Sequence, residues 1–201
     1  MQDTQFHRLI QPGECIRVSG KIVAVRRIKP GALTITRIDL TTKDDEKGAT
    51  TYTTGISRDV AVNGEDQVIE DAPDWPDDAP SGEWSENVIP IPREMPHVYT
   101  ECADIWNPIH TERKVALAAG LPDIILHGTA TWALAVREIV ANYLGSDPLR
   151  LSRFTGRFTG MVIPGTDIII RHAGTPRGAV YEVIAADGSK AITAGRALFR
   201  D

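Results

Sequence analysis

Residues Tyr99 to Ala135 read YTECADIWNPIHTERKVALAAGLPDIILHGTATWALA, and the order of residue types in this stretch decides the fold. Asn107 followed by Pro108 has the composition of a helix-opening turn, with Asn as the cap and Pro at the first helical position, where its missing N–H costs nothing. From His127 the chain runs HGTATWALAVREIVANYL, apolar on one side and broken by Arg137 and Glu138. That pattern predicts a helix buried along a sheet face, ending near Gly145 with Pro148 beyond it.

Working outward, strands follow this helix, and a shorter set of the same design precedes it. Leu9 to Val18 (LIQPGECIRV) lies on Met161 to Ile170 (MVIPGTDIII) as a weak internal repeat. In both, a Pro-Gly turn launches an alternating apolar run, because proline presets the turn and glycine tolerates a positive φ. The strand patterns SGKIVAVRRI, ALTITRIDLTT and ATTYTTGISR follow the first; IIIRHAG, AVYEVIAAD and KAITAGRALF follow the second. Charged turns, DDEKG and DGSK, separate the last two strands of each copy. Between the copies, Glu65 to Pro96 is rich in proline and acid and carries no sustained period, so it reads as a linker, with Trp75 and Trp84 placed to pin it as an ordered strap. The expected organisation is a strands-only repeat over 1–64, a linker over 65–96 and a complete helix-plus-sheet domain over 97–201.

The 201 residues are 42% apolar and 24% charged, with a net charge of -5, the balance of a globular protein with a real core. No basic stripe with interleaved aromatics offsets the acidic excess, which argues against nucleic acid as a partner. The two cysteines, Cys15 and Cys102, are too few for a disulfide framework or a structural zinc site. No stretch is long and apolar enough to span a bilayer. The N-terminus has no apolar signal core and the chain ends ALFRD, so a cytoplasmic location is expected.

The opening stretch resembles the signature of the MaoC, or hydratase-2, family. That signature is an aromatic residue, a small-residue turn, Asp, Asn-Pro, an aliphatic residue, His, an alanine-rich short helix, and an aliphatic-His-Gly that opens the long helix. The matching residues are Tyr99, Asp104, Asn107, Pro108, Ile109, His110, Ala118, Gly120, Leu126, His127 and Gly128. One departure stands out: the family places a single residue between Asp and Asn, and here there are two, Ile105 and Trp106. Counted from Tyr99 the acid is Asp104; counted from His110 its place falls on Ile105, and a bulge or wider turn is needed to bring Asp104 back.

The resemblance implies an α+β hot-dog fold, a sheet wrapped around a long helix. In its tandem form this is a double hot dog, here with the N-terminal repeat lacking its central helix. An uncovered N-terminal sheet face implies a homodimer, a partner subunit or a missing upstream segment. The implied activity is a hydro-lyase that adds water to, or removes it from, an enoyl or 3-hydroxyacyl thioester of coenzyme A or an acyl carrier protein. Asp104 and His110 would activate the water, Asn107 would orient it or the turn, and the Gly128 N–H at the helix start would receive charge on the thioester oxygen. Tyr99, Trp106 and His127 are candidates for lining the substrate site, with packing or capping as their simpler roles. No metal or redox cofactor is expected, for want of a His/Cys cluster or a dinucleotide glycine pattern. The other readings are a non-catalytic acyl-thioester-binding or assembly subunit and a hot-dog thioesterase.

Overall fold

The computed structural model describes residues 1–200. The six alternating apolar runs become strands and the one-sided run after His127 becomes a helix, as their side-chain periods require. The strands are β1 (Gln2–Phe6), β2 (Ile16–Ile28), β3 (Gly31–Thr42), β4 (Lys47–Arg58), β5 (Gln67–Val68), β6 (Ser85–Pro90), β7 (Leu151–Phe158), β8 (Asp167–Thr175), β9 (Gly178–Ile184) and β10 (Lys190–Phe199). The α-helices are α1 (Met95–Ala103), α2 (Arg113–Ala118) and α3 (Gly128–Tyr143). Among the described residues no helix is long and apolar enough to cross a membrane. Two compact units form: residues 1–78, 148–155 and those from Ala197 onward in one, and residues 79–147 and 156–196 in the other. The stretch read as a linker is thus divided between them, 65–78 in the first and 79–96 in the second.

In the first unit the strand order is β5-β2-β3-β4-β1-β7. β2 pairs antiparallel with β3, β3 with β4, and β4 with β1. In the second the order is β7-β10-β9-β8-β6, with β8 antiparallel to β9 and to β6. Counted from β1 and from β7, both units run first strand, fourth, third, second, then a short edge strand. The two Pro-Gly turns also agree, since Gly13 and Gly165 share φ +86. This is a left-handed backbone that glycine adopts without strain.

The stretch from Glu65 to Pro96 is more ordered than its composition predicts, because β6 pairs Ser85 with His172 and Pro90 with Asp167. Six residues ending in proline are too few to show a period, and proline fits there because β6 lies at a sheet edge and owes no outward hydrogen bond.

The sheet face expected to be bare in the first unit is dressed by a strap. Val23, Ala24, Ile35 and Tyr52 form its core, with Leu33 and Ala72 packed against them. Ile69 N–H donates to the Val23 carbonyl at 2.8 Å, and the Tyr52 hydroxyl donates to the Glu70 carboxylate. Burial and that bond push the Tyr52 hydroxyl up to about 12. The far end of the strap is held by charge. Arg153 donates to both oxygens of Asp3 at 2.9 and 2.7 Å, Trp75 Nε1 donates to Asp3 at 2.8 Å, and the guanidinium lies 4.2 Å from the Trp75 ring centroid.

In the second unit α3 packs on β8 and β9. It buries Ala130, Thr131, Leu134, Ala135, Ile139 and Val140, the one-sided face its sequence predicts, and its cap at Leu144 is followed by Gly145 at φ +61. Tyr181, 2% exposed, fills the space beside two glycines. A Cβ on Gly195 would lie 2.4 Å from the Tyr181 carbonyl oxygen, and one on Gly156 would lie 2.7 Å from its hydroxyl.

Candidate active site

The site is built where α1 ends and α3 begins. Asp104 closes α1 in the left-handed conformation, φ 53 and ψ 39, which short polar side chains tolerate better than most. The chain then passes through Ile105 and the exposed Trp106 before Asn107 restarts helical structure. Asn107 is extended, and its side-chain oxygen accepts from Ile109 N–H at 3.3 Å. Pro108–His110 forms a single 3₁₀ turn behind it. The capping reading of Asn-Pro is therefore realised, and its consequence is to present His110.

His110 is half-buried, and its Nδ1 lies 2.7 Å from the Ile125 carbonyl oxygen. A carbonyl only accepts, so Nδ1 carries the proton and the neutral ring keeps a lone pair on Nε2. The His127 ring stacks on it with centroids 3.7 Å apart at 23°. His127 is 2% exposed, and its Nε2 faces Thr100 Oγ1 at 3.2 Å and the Ile105 carbonyl at 3.4 Å. The same argument puts its proton on Nε2, which leaves a buried Nδ1 without a partner. Burial holds His127 below the ordinary histidine value, and charge on His110 pushes it further down. Tyr99 closes the back of the pair, its ring 5.0 Å from that of His127.

A cavity of about 80 Å³ opens beside His110, with Gly128, Thr131 and Phe158 among its walls and Leu126, Val162 and Ile192 as apolar lining. Gly128 is the first residue of α3. The first hydrogen bond of the helix runs from Thr131 N–H to the His127 carbonyl, so the N–H groups of Gly128, Thr129 and Ala130 precede it and have no acceptor within the helix. An oxyanion at this end meets both donors and the positive pole of the helix.

The structure brings His110 and Gly128 to the cavity wall, with His127 stacked on His110 and Tyr99 beside His127, neither of these two among the lining residues. Asn107 acts one step back, through the turn. Asp104 is exposed, is not among the cavity-lining residues, and accepts from Trp106 Nε1 at 3.0 Å; Trp106 is 65% exposed and is likewise absent from the lining. Three contributors escaped the sequence reading. Thr100 meets His127 Nε2, the Ile125 carbonyl fixes the His110 tautomer, and Phe158 covers Gly128. Thr100 is legible only as the neighbour of Tyr99, a backbone carbonyl has no signature at all, and Phe158 ends a strand far along the chain.

Comparison with known proteins adds a family to this geometry. The sequence profile of the MaoC like domain matches residues 85–191. Enoyl-CoA hydratase ChsH3 of Mycobacterium tuberculosis is 32% identical over 104 residues, covering 52% of this chain and 36% of that protein. The peroxisomal enoyl-CoA hydratase 2 of Arabidopsis thaliana is 30% identical over 90 residues, 45% of this chain and 29% of that one. The chain thus spans about a third of the length of these curated relatives. Among solved structures, a MaoC-like dehydratase from Phytophthora capsici superposes over 100% of this chain and 70% of its own, with a TM-score of 0.87 at 18% identity, and so shares the double hot-dog fold.

Proposed function

The chain belongs to the MaoC-like domain family, and on that premise we propose that it is a hydro-lyase acting on an α,β-unsaturated acyl thioester, carried by coenzyme A or by an acyl carrier protein. The observation that carries the reading is the contact of His110 Nδ1 with the Ile125 carbonyl oxygen. With Nδ1–H committed to the Ile125 carbonyl, Nε2 is a free base in a residue that lines the same cavity as the start of α3.

In this reading His110 Nε2 takes a proton from water as the water oxygen bonds to C3, and the imidazolium returns that proton to C2. The atoms of one water are added and the site ends as it began. The carboxylate of Asp104 orients the water and offsets the charge on His110 while the proton is held. The Gly128 N–H donates a hydrogen bond to the thioester oxygen as negative charge builds on it. Run backwards, the same steps dehydrate a 3-hydroxyacyl thioester.

The test is the ultraviolet absorbance of crotonyl-CoA mixed with the wild-type protein, beside His110→Ala and Asp104→Asn. Loss of the enoyl signal in the wild type, abolished in His110→Ala and slowed at least ten-fold in Asp104→Asn, is the expected result. An Asp104→Asn protein as fast as wild type would remove Asp104 from the chemistry. A wild type silent on thioesters of several chain lengths would favour the acyl-binding subunit, a reading to which the Trp106 bond on Asp104 lends support.

A further inference from the structure

The cavity beside His110 is too small for the substrate class proposed above. About 80 Å³ holds a few waters, whereas sites that enclose an organic ligand run to roughly 300–1,000 Å³. What fills the remaining space is identifiable. A Cβ built on Gly128 would lie 3.3 Å from Phe158 Cδ1 and 3.5 Å from its Cε1 and Cγ, so the Phe158 ring rests directly on the first residue of α3. Phe158 is the last residue of β7 and is 36% exposed, so it is partly open to solvent. Its backbone is held in place, because Thr159 N–H donates to the Ala191 carbonyl at 2.9 Å and Thr159 Oγ1 donates to the Lys190 carbonyl at 2.6 Å.

We propose that Phe158 is the gate and the size filter of this cavity. Ring down, it covers Gly128 and leaves space for water. Ring out, by rotation about its side-chain bonds alone, it uncovers Gly128 and enlarges the cavity over its apolar walls, Leu126 and Ile192, to receive the acyl chain. Side-chain rotation of a half-exposed ring is fast and local, so no movement of β7 is required. The inference rests on the acyl-thioester reading of the site for its ligand, but not on turnover.

The experiment therefore measures binding as well as reaction. Calorimetric affinities for two saturated thioesters, butyryl-CoA and decanoyl-CoA, are compared in the wild type, Phe158→Ala and Phe158→Leu, beside hydration rates for crotonyl-CoA and trans-2-decenoyl-CoA. The expected result is a shift of the decanoyl-to-butyryl affinity ratio toward the longer chain, by roughly ten-fold in Phe158→Ala and less in Phe158→Leu, with melting curves showing both variants folded. An unchanged ratio in either folded variant, or no binding of either thioester by any of the three proteins, would overturn the gate. A ratio that shifts while no protein hydrates any enoyl thioester would keep the gate and overturn the hydratase.

Discussion

Asp3→Asn tests whether buried charge holds the strap on the first unit. Asp3 is 1% exposed and accepts three hydrogen bonds, two from Arg153 and one from Trp75. Asparagine keeps one acceptor oxygen and turns an NH₂ toward a donor, so at least one bond is lost. The Arg153 charge, 6% exposed, is then left without an anionic partner, beside the backbone carbonyls of Pro73 and Asp74. Breaking one side of a buried ion pair costs about 3–5 kcal/mol, a large share of the roughly 5–15 kcal/mol that keeps a protein folded. With a urea slope of about 2–3 kcal/mol/M, the midpoint should fall by about 1–2 M. Limited proteolysis should begin within the strap between Ile69 and Trp75. Replacing both partners by apolar residues, Asp3→Leu with Arg153→Met, should recover most of the loss, because no charge is then buried alone. A loss below about 1 kcal/mol in Asp3→Asn would refute the reasoning, since the strap would then be held by Ala72 and Ile69 rather than by charge.

Asn107→Ala removes the cap that presents His110 and should cost about 1 kcal/mol of stability together with most of the crotonyl-CoA hydration; Asn107→Asp, which also caps, should restore the melting temperature. Gly195→Ala drives a Cβ into the Tyr181 carbonyl and ring and should destabilise by about 1–3 kcal/mol, whereas Gly20→Ala, with nothing within 4 Å of its Cβ, should be neutral or slightly stabilising in urea titrations. Burial lowers the histidine values of His7, His127 and His172, so below the unfolded value of about 6.5 the unfolded chain binds more protons than the folded one. That contribution to stability is complete above pH 6.5 and is lost as pH falls through the lowered folded values. Urea midpoints taken from pH 7.5 to 5 should drop accordingly, and the drop should shrink in His172→Asn.

The helix from Gly128 to Tyr143 and six of the strands were legible because each repeats its period several times and is bounded by glycine or proline. The two Pro-Gly turns were legible for a similar reason, since proline and glycine each restrict or license a backbone angle that few other residues match. β1 and β6 were not. They hold five and six residues, and their identity as strands comes from partners, Thr53 for Gln2 and His172 for Ser85, that lie dozens of residues away. The strap was foreseen in outline from Trp75, but the Asp3–Arg153 pair that fixes it joins residues 150 positions apart, and no local pattern marks such a contact. At the site, the resemblance to the MaoC family pointed to Asp104, His110, Asn107 and Gly128. It carried no trace of the carbonyls of Ile125 and Ile105, which set both tautomers.

The second residue between Asp104 and Asn107 bears on the proposed chemistry. In the left-handed conformation at Asp104 the chain reverses early, and Ile105 contributes its carbonyl to His127. Asp104 meanwhile contributes its carboxylate to Trp106 in solvent. A hydrogen bond to a charged group is worth about 1.5–3 kcal/mol, and a bound water offers the carboxylate a replacement donor, so moving it off the indole is a small demand on substrate binding energy. Trp106→Phe removes the indole donor while keeping the ring. If Asp104 serves the reaction by leaving Trp106, then Trp106→Phe should hydrate crotonyl-CoA as fast as the wild type or up to several-fold faster. If the Trp106 bond is instead what holds Asp104 in its working position, the same variant should slow to the rate of Asp104→Asn, and the two substitutions together should cost no more than either alone.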